Sequence, residues 1–108
     1  MRDVLWRPSE AEIERACATA FRREVGERYG LDLADWHALR RWSTAEPARF
    51  WESVWRFCGV RASRPWDDVL VDGERMPGAR WFEGARLNFA ENLLRFDGPG
   101  DAIVFRGE

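Results

Sequence analysis

Large aromatic rings dominate this sequence and restrict how it can fold. The chain has 108 residues, and seven of them are tryptophans, at positions 6, 36, 42, 51, 55, 66 and 81. A chain of this length forms one small domain and buries only about two-thirds of its unfolded surface. Seven indoles are more than such a core easily encloses. Since aromatic and arginine side chains are enriched in protein contacts, the sequence predicts an aromatic docking surface for another domain.

The balance of charge argues against two classes of partner. Nineteen acidic and 17 basic residues leave a net charge of −2, which creates no field to collect nucleic acid or an acidic membrane. No stretch approaches the roughly 20 apolar residues of a membrane span, and the N-terminus lacks the apolar run of a signal peptide. We therefore expect no nucleic-acid partner, no membrane partner and a cytoplasmic location.

The first helical pattern follows a capping box formed by Ser9 and Glu12. Apolar residues recur behind it at helical spacing, and Gly30 is a typical C-terminal stop. The pattern predicts one helix over residues 10–29. Cys17 and Cys58, the two cysteines, each fall on an apolar helical stripe, which predicts buried thiols in a reducing compartment.

Two further helices are predicted before residue 60. Trp36 and Leu39 indicate a short helix that runs to about residue 41. Ser43 and Glu46 form a second capping-box pattern ahead of Pro47, which is tolerated in a first turn. The aromatic face that follows predicts a helix ending near residue 59.

The rest of the chain predicts short strands and one more helix. Residues 69–71 and 103–105 have strand character, and Asn88 is a typical N-cap. A strand at 103–105 leaves its backbone groups unpaired unless it pairs with residues 69–71 or with a part of the protein outside this sequence. The fold class expected is mainly α with short strands (α+β).

Residues with catalytic chemistry are sparse. The single histidine, His37, has no evident nucleophile to serve, and a structural or surface role is the better interpretation. Ser9 and Ser43 are assigned as helix caps, and neither they nor Ser63 lie in a Gly-x-Ser-x-Gly elbow. The basic residues are all arginine, so the chain offers no Schiff-base lysine and no phosphate-loop lysine.

The acidic residues form no convincing metal site. Adjacent carboxylates at Asp67 and Asp68 point to opposite faces of an extended segment, and Asp32 with Asp35 supplies too few oxygens for a hard cation. We interpret all four as solvated turn residues. The sequence therefore predicts no catalytic, cofactor-binding or metal-binding residue.

Several motifs resemble the N-terminal region of the acetyl- and acetoacetyl-CoA synthetases of the adenylate-forming superfamily. The most specific stretch is Trp81-Phe82-x-Gly84-Ala85-x-Leu87-Asn88-Phe89-Ala90-Glu91-Asn92-Leu93-Leu94, and it is preceded by Trp42-Ser43, Phe50-Trp51 and Val54-Trp55. This stretch, with the opening Trp6-x-Pro8-Ser9, resembles the acetoacetyl-CoA branch. The acetyl-CoA branch usually continues after its asparagine into an Asp-Arg-His stretch, which is absent here.

The resemblance implies a division of the chain and a partner for it. Residues 1–100 would be an acyl-CoA synthetase N-terminal domain, with residues 36–94 its most specific part, and residues 101–108 the first strand of an AMP-binding domain. Such a segment wraps the outside of an α/β adenylate-forming enzyme and is not a complete catalytic fold. Its partner would be the adenylating domain of the same polypeptide, which we expect to be encoded after residue 108.

The function implied for the intact enzyme is that of an acetoacetate–CoA ligase. It would use ATP, Mg²⁺ and CoA to convert acetoacetate to acetoacetyl-CoA, with AMP and diphosphate as the other products. The segment itself would have a structural and docking role, since no catalytic position of the family falls within it. Two alternatives stay open: the N-terminal part of an acetyl- or propionyl-CoA synthetase, and a stand-alone, non-enzymatic Trp/Arg-rich interaction domain.

Overall fold

The computed structural model describes residues 3–101 and 103–108 and divides into two units, Met1–Cys58 and Gly59–Glu108. Over the described residues, the first unit contains α1 (Glu10–Arg15), α2 (Cys17–Tyr29), α3 (Trp36–Ala45) and α4 (Pro47–Phe57), and the second contains β1 (Asp68–Val71), β2 (Arg80–Glu83) and α5 (Phe89–Leu93). The mainly α fold with short strands is therefore confirmed.

The predicted capping box starts α1. Ser9 N–H donates to Glu12 Oε2 at 2.7 Å, and Ser9 Oγ accepts from Glu12 N–H at 3.3 Å, so two backbone donors at the helix start are satisfied reciprocally. The Ser9 hydroxyl also donates to Glu12 Oε2 at 2.7 Å, and this bond, followed by the one from Ser9 N–H, lowers the pKa of Glu12. At the other end of the predicted helix, Gly30 adopts the left-handed conformation at φ 63°, which confirms it as the C-terminal stop.

The single helix predicted over residues 10–29 is wrong, because the chain leaves helical geometry at Ala16 (φ −68°, ψ 135°). In a continuous helix the Ile13 carbonyl would accept from the amide of Cys17. Here it accepts from Ala16 N–H at 3.2 Å and from Thr19 Oγ1 at 2.6 Å. A threonine hydroxyl that competes for a backbone carbonyl is a local alternative to the helix ladder, and it separates α1 from α2.

An ion pair links the two helices that this break creates. Arg23 donates from both terminal nitrogens to the Glu14 carboxylate, at 2.6 and 2.7 Å. The Arg23 contact lowers the pKa of Glu14. On one straight helix the nine intervening steps would separate the two residues by about 13 Å, so the pairing depends on the turn at Ala16.

The second capping box is also wrong. Helix α3 continues through Ser43, whose hydroxyl donates to the Arg40 carbonyl at 2.8 Å instead of capping a new helix. Glu46 is the N-cap of α4 without a side-chain hydrogen bond, and Pro47 occupies its first turn as predicted. Proline disfavours helical geometry in the residue before it, which accounts for Glu46 at φ −127°, ψ 59°.

A small aromatic core holds the first unit together. Phe21, Val25 and Leu39 are its buried apolar residues, and partly buried rings from α2, α3 and α4 surround them. The Phe21 ring meets Phe50 and Phe57 nearly edge to face, with centroids 5.8 and 5.3 Å apart. Such aromatic pairs contribute about 0.5–1.5 kcal/mol each beyond the apolar area that they bury.

The second unit is built on an antiparallel hairpin. The predicted strand at residues 69–71 is confirmed as β1, and it pairs with β2 in the register Asp68↔Glu83, Leu70↔Trp81 and Val71↔Arg80. Strand β2 was not predicted from the sequence, because its four residues lie between turn signals and give little alternation to detect. Behind the hairpin, the Trp66 and Phe82 rings pack with centroids 5.6 Å apart.

Gly84 lies in a cradle formed by an ion pair. Arg64 donates to the Gly84 carbonyl and, at 2.9 Å, to Asp67 Oδ1. Gly84 has φ +82°, and a Cβ built there would collide with Arg64 Nη1 and Asp67 Oδ2. Only glycine satisfies both the left-handed backbone and the close approach.

Residues 103–108 form no strand in the structure, and Ile103, Val104 and Phe105 are 79–88% exposed. Within the described residues the sheet has two strands, β1 and β2, so the first of the two alternatives, pairing of residues 103–105 with residues 69–71, is wrong. Ala102 lies outside the described residues. A strand at residues 103–105 that pairs with a part of the protein outside this sequence stays a prediction.

We expect Gly84→Ala to lower the free energy of unfolding by about 2–4 kcal/mol, because the substitution adds left-handed strain and displaces the Arg64–Asp67 pair. The measurement is the urea midpoint followed by tryptophan fluorescence. Gly98→Ala is the control, since open space surrounds that position and its φ is not in the left-handed range. Equal effects of the two substitutions would contradict the account of Gly84.

We expect acid to weaken the start of α3 through Asp35. Its carboxylate accepts from Ala38 N–H at 2.7 Å, and this hydrogen bond is the main reason that its pKa lies below the usual 3.8. A pKa that is lower in the folded state means that the stabilisation is complete above the unfolded pKa and is lost as pH falls through the folded one. In Asp35→Asn the amide still caps, so α3 amide exchange should lose this acid dependence. An unchanged acid dependence would refute the assignment.

Candidate docking surfaces

An apolar depression of the first unit, hereafter the helical groove, is formed by α2, α3 and α4. Its volume is about 290 Å³, and its lining includes Phe21, Trp36, Leu39, Phe50 and Val54. Trp36 stands at its edge with 63% of its surface exposed. An open groove lined by aromatic and aliphatic side chains is the kind of surface that packs against another protein segment.

The second unit presents an apolar segment near its C-terminal end, hereafter the apolar tail. It consists of Leu93, Leu94, Phe96, Ile103, Val104 and Phe105, which are 61–88% exposed. A single exposed apolar residue is ordinary on a monomer, whereas a group of them in one segment leaves a large apolar surface in water.

The tryptophans are distributed as the sequence suggested. Trp6, Trp36, Trp51 and Trp81 are 44–72% exposed, whereas Trp42 packs against the core and Trp66 packs against Phe82. The expectation that so small a core cannot enclose seven indoles is therefore confirmed. That the exposed indoles meet another domain stays a prediction.

In the stretch that carries the family resemblance, asparagine side chains form hydrogen bonds with backbone groups of the second unit. Asn88 caps α5 by accepting from Glu91 N–H at 3.1 Å, which confirms its predicted role. Asn92 accepts from Arg61 N–H at 2.7 Å and donates to the Arg61 carbonyl at 2.8 Å. A side-chain amide that bonds both groups of one distant residue fixes the position of α5 along that backbone.

The sequence did not reveal the residues upstream that contact this stretch. Arg61, Arg64 and Asp67 lie 14 to 20 residues before Trp81, where the recognised stretch begins, and nothing in their local spacing marks them. Asp67 was predicted to be a solvated turn acid, but its carboxylate pairs with Arg64 at 2.9 Å. The available signal was Gly84, since a glycine in a strand-like stretch often marks a close approach of other atoms.

The other residues with reactive side chains have structural positions. His37 is exposed on α3, in agreement with a surface role, and Asp35 is the N-cap of that helix. Ser63 Oγ donates to the Arg86 carbonyl at 3.1 Å. Across residues 3–101 and 103–108, no three histidine, cysteine, aspartate or glutamate side chains cluster as metal ligands would.

The predicted burial of the cysteines is wrong, since Cys17 and Cys58 are both exposed. Cys17 is the first residue of α2, and Cys58 follows the last residue of α4, so neither lies within a helix stripe that a neighbour covers. Both line the helical groove. In the described part of the chain, no helix is long and apolar enough to cross a membrane.

Comparisons with known proteins identify the class of chain to which this architecture belongs. Residues 36–93 match the family described as acetyl-coenzyme A synthetase N-terminus. The chain belongs to this family. Its relatives include the acetoacetyl-coenzyme A synthetase of Rhizobium meliloti (strain 1021), 48% identical over 96% of this chain and 16% of that protein. The malonamoyl-CoA synthetase of Penicillium aethiopicum is 41% identical over 85% of this chain and 13% of that protein.

A solved structure agrees with these relatives. The acetoacetyl-CoA synthetase from Streptomyces lividans matches with a TM-score of 0.78 and 42% identity, over 87% of this chain and 15% of that one. The chain therefore spans about one-sixth of the length of the enzymes that it matches. What it shares with them is their N-terminal part, as the resemblance in residues 81–94 indicated.

We expect the 108-residue chain to self-associate, because its exposed apolar side chains are free to pack on other copies. Ile103→Asp combined with Phe105→Asp should weaken the association by at least about tenfold, since each side chain is worth about 1.5–3 kcal/mol when buried. Light scattering across a concentration series measures this. Gly98→Asp with Gly100→Asp adds the same charge where space is open. A strictly monomeric parent chain, or an equal effect of the glycine control, would contradict the assignment.

Proposed function

We propose that this chain is the N-terminal, non-catalytic segment of an acetoacetate–CoA ligase and that it docks on the adenylating domain of the same polypeptide. The observation that carries the proposal is the 48% identity to an acetoacetyl-coenzyme A synthetase over 96% of the chain. The acetoacetyl-type motif at residues 81–94 supports it, because the Gly84 carbonyl and the Asn88 and Asn92 side chains of that motif have structural partners in the second unit.

The chemistry of the intact ligase would be the activation of acetoacetate by ATP and Mg²⁺ to an acyl-adenylate, followed by transfer of the acyl group to CoA. The residues of this chain do not fit the binding of those groups. It has no lysine to bind a phosphate. Among the residues that the structure describes, the carboxylates form no cluster that could hold a metal ion. We propose that the adenylating domain supplies every catalytic residue and that ATP, Mg²⁺ and CoA bind there.

The role that we assign to this chain is mechanical. The helical groove and the apolar tail are the two surfaces that we propose to be covered in the intact enzyme. Each aromatic or large aliphatic side chain that becomes buried would contribute about 2–3 kcal/mol to the association. Residues 103–105, which have strand character and no strand partner in the described residues, would pair with the sheet of the adenylating domain. We place the intact enzyme in the cytoplasm.

One relative, the malonamoyl-CoA synthetase, makes malonamate a second candidate substrate to compare with acetoacetate. The malonamoyl-CoA synthetase is 41% identical to this chain, although its name specifies a different acyl group from acetoacetate. Resemblance in the N-terminal segment therefore does not fix the acyl pocket. The intact polypeptide that contains this segment should be assayed with acetoacetate, malonamate, acetate and propionate, and we expect acetoacetate to give the highest kcat/KM.

A chimera tests the docking role. The corresponding segment of the Rhizobium meliloti acetoacetyl-coenzyme A synthetase is replaced by this chain, and acetoacetate-dependent release of AMP is measured in the presence of CoA. We expect soluble protein with kcat within about tenfold of the parent enzyme, because the two segments are 48% identical. Deletion of the segment should leave apolar surface on the adenylating domain uncovered and yield aggregated protein.

Two controls make the chimera experiment decisive. A chimera that carries Gly84→Ala should lose soluble yield, whereas one that carries Gly98→Ala should not. The 108-residue chain alone should catalyse no acetoacetate-dependent exchange between ATP and diphosphate. Exchange by the pure chain would overturn the non-catalytic assignment, and a fully active deletion enzyme would overturn the docking role.

A further inference from the structure

The two cysteines of the chain lie at the same end of the helical groove. Cys17 is the first residue of α2, and Cys58 is the C-cap of α4. Both are exposed thiols, and both line the groove. They are about 40 residues apart in sequence, so only the packing of α2 against α4 brings them to one place.

The contacts between α2 and α4 show that the two helices run antiparallel. The Arg49 guanidinium near the start of α4 lies over the Tyr29 ring at the end of α2, 5.6 Å from its centroid. Further along, Phe21 contacts Phe57, near the end of α4, with centroids 5.3 Å apart. The beginning of α2 is therefore next to the end of α4.

The register of these contacts places the cysteines at one level. Phe21 also contacts Phe50, at 5.8 Å, so it faces a point of α4 midway between Phe50 and Phe57. At 1.5 Å per residue, the step from Phe21 back to Cys17 covers about 6 Å, and the step from that midpoint forward to Cys58 covers about 7 Å. Because the helices are antiparallel, both steps lead in the same direction.

The spacing of packed helices suits a disulfide at this level. Helix axes lie about 8–10 Å apart, and Cα atoms lie about 2.3 Å from their axis. Cα atoms on neighbouring sides of such a pair therefore approach the roughly 4.4–6.8 Å that a disulfide spans. The groove lies beside both thiols and leaves a small reagent room to reach them.

We propose that Cys17 and Cys58 form a dithiol site that reacts with a small-molecule disulfide and closes into an intramolecular disulfide between α2 and α4. One cysteine thiolate attacks the reagent, which yields a mixed disulfide and one released thiol. The other cysteine then attacks the protein sulfur and releases the second thiol. The two cysteines are oxidised, the reagent disulfide is reduced to two thiols, and the protons lost by the cysteines are taken up by the products.

The bridge would constrain the groove itself. It would join the beginning of α2 to the end of α4, next to the aromatic contact of Phe21 with Phe57. Because both cysteines line the groove, the bridge would change the shape of that surface. The pairing depends only on contacts within the first unit, so the 108-residue chain tests it separately from the ligase proposal. In the intact ligase, the proposed covering of the groove would keep the reagent away from both thiols.

The experiment measures the effective concentration of the two thiols in the 108-residue chain. The chain is equilibrated with mixtures of reduced and oxidised glutathione, quenched with acid, and quantified by mass spectrometry as dithiol, mixed disulfide and intramolecular disulfide. In concentrated guanidinium chloride the value should be millimolar or below, as for a flexible loop. In native buffer we expect it to be at least about tenfold higher, because folding holds the thiols at one level.

A displaced thiol provides the matched control. Cys17→Ser combined with Glu27→Cys keeps two cysteines but moves one to the other end of α2, about 15 Å away. Its native effective concentration should not exceed its denatured value. Native and denatured values that are equal for the parent chain would overturn the proposal, and so would a parent that accumulates only mixed disulfides with glutathione.

Discussion

The Phe21 ring is the contact on which the first unit depends. It packs edge to face with Phe50 and Phe57, and together with Val25 and Leu39 it completes the set of buried apolar side chains of that unit. A core of this size leaves most of the other large rings partly or fully in water. The exposed tryptophans, the helical groove and the apolar tail follow from the same shortage of buried volume, because a chain of about 100 residues has little interior to offer.

Local signals in the sequence predicted the ends of elements better than their continuity. Ser9, Gly30 and Asn88 act as predicted because each cap is satisfied within three or four residues. The break at Ala16 was not predictable from apolar spacing, because it depends on the Thr19 hydroxyl competing for the Ile13 carbonyl. Ser43 and Glu46 have the spacing of a capping box, but Pro47 decides where α4 begins, and Ser43 remains inside α3.

The stretch at residues 81–94 shows why a family motif can be recognised before it is understood. Its residues are visible in the sequence, whereas their partners Arg61, Arg64 and Asp67 lie upstream and meet them through the fold of the second unit. Gly84 connects the two sets, because its left-handed backbone and its missing Cβ admit the Arg64–Asp67 pair. Exposure of the cysteines escaped prediction for a related reason, since helical spacing does not show that a position lies at the end of its helix.

The apolar tail has a consequence for the making of the proposed enzyme. Ribosomes deliver the N-terminus first, at about 5–20 residues per second, so the larger remaining part of a chain with the length of the relatives would follow over on the order of a minute. During that time the side chains of Phe96, Ile103 and Phe105, which are 81–88% exposed in the structure, would have no domain to cover them. The nascent enzyme would therefore expose this apolar surface while its partner is still being translated, and chaperones that bind hydrophobic segments would be expected to recognise it.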